Sequence, residues 1–66
     1  MDIFALYKNT PNGKDYFTGF TFTSLGLIIH TQHSMIWNPS FTYDEIKALK
    51  IILPDLKLWE LEKSEL

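Results

Sequence analysis

His30 and His33, in H-x-x-H spacing, are the first residues whose types could do chemistry. Two imidazoles can ligate zinc where a turn or helix brings them together, but on a strand residues three apart point to opposite faces. The chain has no Cys, and no Asp or Glu lies between Asp15 and Asp44 to complete a shell locally. Both histidines therefore read as turn or edge-strand residues, and no metal or cofactor is expected. Nucleophilic catalysis finds its ingredients in Ser24, Ser34, Ser40, the histidines and scattered carboxylates. No strained G-x-S-x-G elbow arranges them. The carboxylate pairs Asp44-Glu45 and Glu60-x-Glu62 read as a helix-opening pair, favoured by the macrodipole, and a solvated pair. A chain of 66 residues also struggles to enclose a substrate pocket of several hundred cubic ångströms, on the order usual for such sites, while keeping a core. No catalytic residue is assigned, and the chain is read as a non-enzyme.

Nucleic-acid binding needs a positive footprint, because phosphate neutralisation supplies most non-specific affinity. The formal charge is -2, Arg is missing, and the six lysines are dispersed as Lys8, Lys14, Lys47, Lys50, Lys57 and Lys63. Phe17, Phe20 and Phe22 could stack bases from a sheet face, but core packing is the reading preferred for them. Two alternatives stay open: a single-stranded nucleic-acid binder using those aromatics, and a minimal metal or enzyme site around His30 and His33.

The strongest signal is an absence. From Tyr16 to Tyr43 no Asp, Glu, Lys or Arg occurs, although charged residues make up 21% of the chain. A domain this small cannot bury such a block completely. Its exposed half must be neutral and partly aromatic, as protein interfaces are. The competing explanation is a central strand pair with uncharged Thr on its outer face, because Thr suits strands. The candidate interface residues are Phe17, Gly19, Thr21, Thr23, Met35 and Trp37.

The elements that must position these residues follow from local pattern. Ile3 to Lys8 and Asp15 to Thr23 read as strands joined through Asn9-Thr10-Pro11-Asn12-Gly13-Lys14, with Pro11 and Asn12 central and Gly13 left-handed. Alternation along the second strand places Tyr16, Thr18, Phe20 and Phe22 on a core face, and Phe17, Gly19, Thr21 and Thr23 opposite. After a break at Ser24-Leu25-Gly26, Leu27 to Thr31 reads as a central strand, with Met35 to Trp37 returning beside it; a helix from Leu25 to Ile36 is the competitor.

Thr42 and Glu45 form a capping box, with Phe41 and Ile46 placed for a hydrophobic staple. The helix they open runs from Tyr43 to Leu53 along an Ile46, Leu49, Ile52, Leu53 stripe and stops at Pro54. Leu56 to Lys63 reads as a last strand whose alternation slips at Leu58-Trp59, or else as a second helix capped by Asp55. The expected fold is one α+β domain over residues 1–66. Its antiparallel sheet has three to five strands, in the order β-β-β-(β)-α-β, covered on one face by the helix.

Absence of Cys, and a start at Met1-Asp2-Ile3 with no basic leader region, point to the cytoplasm. Apolar runs are far too short for the roughly 20 residues that span a bilayer. Phe, Tyr, Ile, Lys and Asn are abundant and Val is missing, as in a chain from an AT-rich genome. The functional expectation is a small protein-interaction module of accessory or inhibitor type, of phage or mobile-element origin. Its partner is a second copy of itself or a larger protein.

Overall fold

Two Thr-x-x-Gly turns set the frame. In Thr10-Pro11-Asn12-Gly13 the Thr10 hydroxyl donates to the Gly13 carbonyl at 2.9 Å and accepts from the Asn12 N–H at 3.3 Å. Thr23-Ser24-Leu25-Gly26 repeats this, with 2.9 Å to the Gly26 carbonyl and 3.2 Å from the Leu25 N–H. Among the described residues no non-glycine has positive φ, so Gly13 (φ 120°) and Gly26 (φ 127°) absorb the left-handed twist that closes each hairpin. The turn chemistry expected at Pro11-Asn12-Gly13 is what forms.

The protein is described here by a computed structural model that covers residues 2–33 and 39–64. The elements are β1 (Phe4–Thr10), β2 (Gly13–Thr23), β3 (Gly26–Gln32), α1 (Tyr43–Ile52), a 3-10 turn (Pro54–Leu56) and β4 (Glu60–Lys63). The strands make one antiparallel sheet in the order β3-β2-β1-β4, so the chain is an α+β fold with a single α-helix among the described residues. The helix competing for Leu25 to Ile36 loses to β3, whose Leu27 to Thr31 stretch is extended. The expected return strand, Met35 to Trp37, lies outside the described residues.

The expected faces of β2 are overturned at one residue. Phe17 pairs with Thr31 and Gly19 with His30, which leaves Thr18 as an extra residue in a β-bulge. A bulge shifts the alternation by one. Phe17, Phe20 and Phe22 thus share the helix side with their β3 partners Thr31, Ile29 and Leu27, while Tyr16 joins Gly19, Thr21 and Thr23 on the open side. Phe17 is buried (2% exposed), and Phe22, expected in the core, is 68% exposed. Beyond the bulge Phe4 takes its next bonds from Phe41, N to O at 2.7 Å and O to N at 2.9 Å, so Phe41 stands beside β1 where β2 has turned away.

The core lies between the sheet and α1. Leu6 and Phe17 meet Ile46, Leu53 and Leu56, with Phe4, Leu27, Ile29, Phe41, Leu49, Trp59 and Leu61 packed around them. The capping box forms as expected: Glu45 N–H donates to Thr42 Oγ1 at 3.2 Å and Thr42 N–H to Glu45 Oε1 at 2.8 Å. Ile52 does not join the buried stripe; it is 64% exposed, and Leu53, just past the helix, turns inward instead. Pro54 opens the 3-10 turn that inserts Leu56 (0% exposed) into the core. That turn explains the slipped alternation, because Leu58 belongs to the connection and the last strand begins at Glu60 rather than Leu56.

Candidate functional site

β2 has eleven residues and β1 only seven, and both start from the same turn. The far half of β2 therefore runs past the β1 pairing and, among the described residues, pairs with β3 only, from Gly19↔His30 to Thr23↔Gly26. This two-stranded arm contains no charged residue. Its helix side carries Phe20 (40% exposed) and Phe22 in an edge-to-face pair with ring centroids 5.5 Å apart; Ile28 is half exposed on the open side and Leu25 stands free at the tip.

Of the six residues expected at an interface, Gly19, Thr21 and Thr23 lie on the open side of the arm, the threonines exposed. Phe17 does not join them. Its ring sits 6.0 Å from that of Phe41 and 6.2 Å from that of Trp59, inside the core. Met35 and Trp37 lie outside the described residues. Sequence reasoning missed Phe20, Phe22, Leu25 and Ile28 as surface residues. The spacing of the two Thr-x-x-Gly turns was the available signal, since it makes β2 too long for β1 to cover.

The histidines separate as strand geometry requires. His30, on the open side, is hydrogen bonded to the Thr21 hydroxyl through Nε2 at 2.6 Å. His33 Nδ1 lies 2.7 Å from Asp15 Oδ1, and Asp15 is in register with Lys8 on the helix side. Each ring thus has a local partner, and among the described residues no three His, Asp or Glu side chains are grouped to hold a metal ion.

The open face nearer the first turn is polar and cross-linked. Glu62 accepts from Lys14 Nζ at 2.8 Å and from the Tyr16 hydroxyl at 2.5 Å, and Lys14 also lies over the Tyr7 ring, 4.5 Å from its centroid. The bonds from Lys14 and Tyr16 hold the Glu62 carboxyl below its ordinary range. Their bonds to Glu62 push the Lys14 ammonium and the Tyr16 phenol up, burial adding to the shift at Tyr16. This network ties β4 to β2 across β1 and is structural in form.

The remaining lysines are spread over the rest of the molecule. Lys8 stands over Trp59 (5.5 Å), Lys47 over Tyr43 (5.8 Å), Lys63 pairs with Asp2 (3.3 Å), and Lys50 donates to the Trp59 carbonyl at 2.7 Å. Lys57 and Lys8 line an open groove of about 560 Å³ beside Trp59, where Asp55 and Glu60 offset them. None of the six is in the arm. Among the described residues no helix is long and apolar enough to cross a membrane. Comparison with protein-family models, with curated proteins and with solved structures returns no match.

Proposed function

We propose that this protein works by contact, as a small non-enzymatic protein-interaction module whose binding surface is the β2–β3 arm. The observation that carries this reading is the coincidence of charge absence with exposed apolar side chains. Phe20, Phe22, Leu25 and Ile28 all stand out on the one stretch that has no Asp, Glu, Lys or Arg. Interfaces are depleted in charge and enriched in aromatics, whereas an ordinary solvated hairpin carries Lys or Glu. A contact module of this size suits an accessory or inhibitor protein of a phage or mobile element, acting in the cytoplasm on a protein partner.

Nucleic acid is the weaker reading, because stacking platforms work with a cationic groove and the arm has no cation. The two readings separate in one experiment. A photo-crosslinking residue is placed at Leu25, at the arm tip, or at Ile51, 79% exposed on α1. The Leu25 derivative is expected to form a discrete, nuclease-resistant protein adduct that the Ile51 derivative does not. Equal labelling from both sites, or an adduct that nuclease removes, would overturn the proposal.

A further inference from the structure

Asn12 is the only Asn or Asp of the chain that is followed by Gly. The pair sits at the tip of the first hairpin with both residues exposed, and Thr10↔Gly13 is the last rung of the β1–β2 ladder. From this placement we infer that Asn12-Gly13 is a site of spontaneous covalent modification. The side-chain amide is lost as ammonia, and in part of the product the main chain is rerouted through the Asn12 side chain.

The chemistry needs a backbone nitrogen that can reach the side-chain carbonyl carbon of the residue before it. A following side chain obstructs that approach, and Gly13 has none. Its φ of 120° is one that side chains rarely adopt, and a Cβ built there meets nothing within 4 Å, so the surroundings leave the approach open as well. Water is the only reagent consumed, and nothing is oxidised or reduced. A base takes the Gly13 N–H proton, the nitrogen bonds to Asn12 Cγ, and the Cγ–Nδ2 bond breaks as ammonia leaves with a proton. Water then opens the cyclic imide. Cleavage of the bond from Gly13 N to Cγ gives an aspartyl residue on an unchanged backbone. Cleavage of the bond from Gly13 N to the main-chain carbonyl carbon gives an isoaspartyl linkage, longer by a methylene.

The other two asparagines lack these conditions. Asn9 lies within β1, donates its side-chain amide to Glu60 at 2.8 Å and is followed by the β-branched Thr10. Asn38 precedes Pro39, whose nitrogen has no proton to give up. The second turn is a matched comparison. Thr23-Ser24-Leu25-Gly26 has the same pair of threonine bonds and the same left-handed glycine (φ 127°), with Leu where the first turn has Asn. The reactive pair is thus confined to the end of β2 opposite the arm.

The two products act differently on the fold. The Thr10 hydroxyl spans the turn, accepting from the Asn12 N–H at 3.3 Å and donating to the Gly13 carbonyl at 2.9 Å. The aspartyl product keeps that spacing, whereas a methylene added between positions 12 and 13 breaks it. The isoaspartyl chain should therefore unfold at lower urea than the Asn12→Asp variant, which adds the same charge without lengthening the backbone.

The test is incubation of the full folded chain at mildly alkaline pH in water enriched in heavy oxygen. Peptide mapping by mass spectrometry locates the product, and enzymatic methylation detects isoaspartyl carboxylates. Acid carrying a single heavy oxygen should build up at position 12 and not at position 9. Its rate should lie within about tenfold of that in a free peptide of residues 8–15, because loop tips open at little free-energy cost. Asn12→Gln should lose the product, and Leu25→Asn should gain it in the second turn. No conversion at position 12 while the free peptide converts would overturn the inference. So would equal conversion at position 9, or a second turn that stays inert in Leu25→Asn. An isoaspartyl fraction as stable as Asn12→Asp would overturn the consequence for the turn.

Discussion

Truncating Phe17 and Phe20 in parallel tests the bulge on which the location of the proposed binding surface depends. Phe17 is 2% exposed and stacks near Phe41 and Trp59 over Leu6, Ile46, Leu53 and Leu56. Phe17→Ala removes a fully buried ring from a site walled on several sides, which costs about 3–5 kcal/mol. A chain of this length has a total stability of about 3–10 kcal/mol, so the variant should be marginal or unfolded at 25 °C.

Phe20 is 40% exposed and only its buried part counts. Taking about 60% of the roughly 1.5–3 kcal/mol for burying such a side chain gives about 1–2 kcal/mol for Phe20→Ala. Phe22→Ala, at 68% exposure, should cost under about 1 kcal/mol. Urea unfolding followed by far-UV circular dichroism ranks the three. Phe17→Leu, which keeps most of the volume, supplies a measurable transition if Phe17→Ala is already unfolded. A Phe20→Ala variant as damaged as Phe17→Ala would refute the bulge and return Phe20 to the core and Phe17 to the surface.

Three further outcomes are expected. Gly26→Ala should cost about 1–2 kcal/mol, since φ 127° is strained for an L-residue while a Cβ there meets nothing within 4 Å; a synthetic chain with D-Ala at the same position should lose little, and equal losses for both would implicate contacts instead of φ. Thr42→Ala should lower stability by about 1 kcal/mol, because the Glu45 N–H loses its side-chain acceptor; an unchanged urea midpoint would count against the capping box. For pH, Glu62 is lowered in the folded state, so its contribution is complete above the ordinary carboxylate range and is lost as pH falls through the folded value. Tyr16 and Lys14 are raised, so theirs is complete below their ordinary values and is lost as pH rises through the folded ones. The urea midpoint should thus be flat across neutral pH and fall on both sides, and the acid-side fall should be smaller in Glu62→Gln.

What the sequence made legible was whatever a few adjacent residues decide. The capping box, the stop at Pro54 and the left-handed Gly13 each involve neighbours within one turn, and each forms as expected. Strand faces are different, because one inserted residue reverses every side chain after it. Nothing in Phe17-Thr18-Gly19 announces that Thr18 is the extra residue; the bulge shows only in the pairing with β3, and Phe41 comes to bridge Phe4 from more than thirty residues away. The same holds for Leu56 and Leu58, which look like alternating strand residues until the 3-10 turn buries one and exposes the other.

The bulge also links the fold to the proposed contact. Without it β2 would alternate regularly from Gly13, and Phe20 and Phe22 would fall on the same side as Tyr16, facing away from α1. With it, Phe17 fills the core beneath the helix while Phe20 and Phe22 continue along that same side past the end of the helix's cover. The arm thereby extends the apolar surface of the core into solvent as a ledge. Exposing that ledge is costly for a domain whose margin is small. It runs along the uncharged strand β3, while β4, at the other end of the order described, has Glu60, Glu62 and Lys63. That an uncharged, aromatic ledge is kept exposed at this cost is what the proposed contact role accounts for.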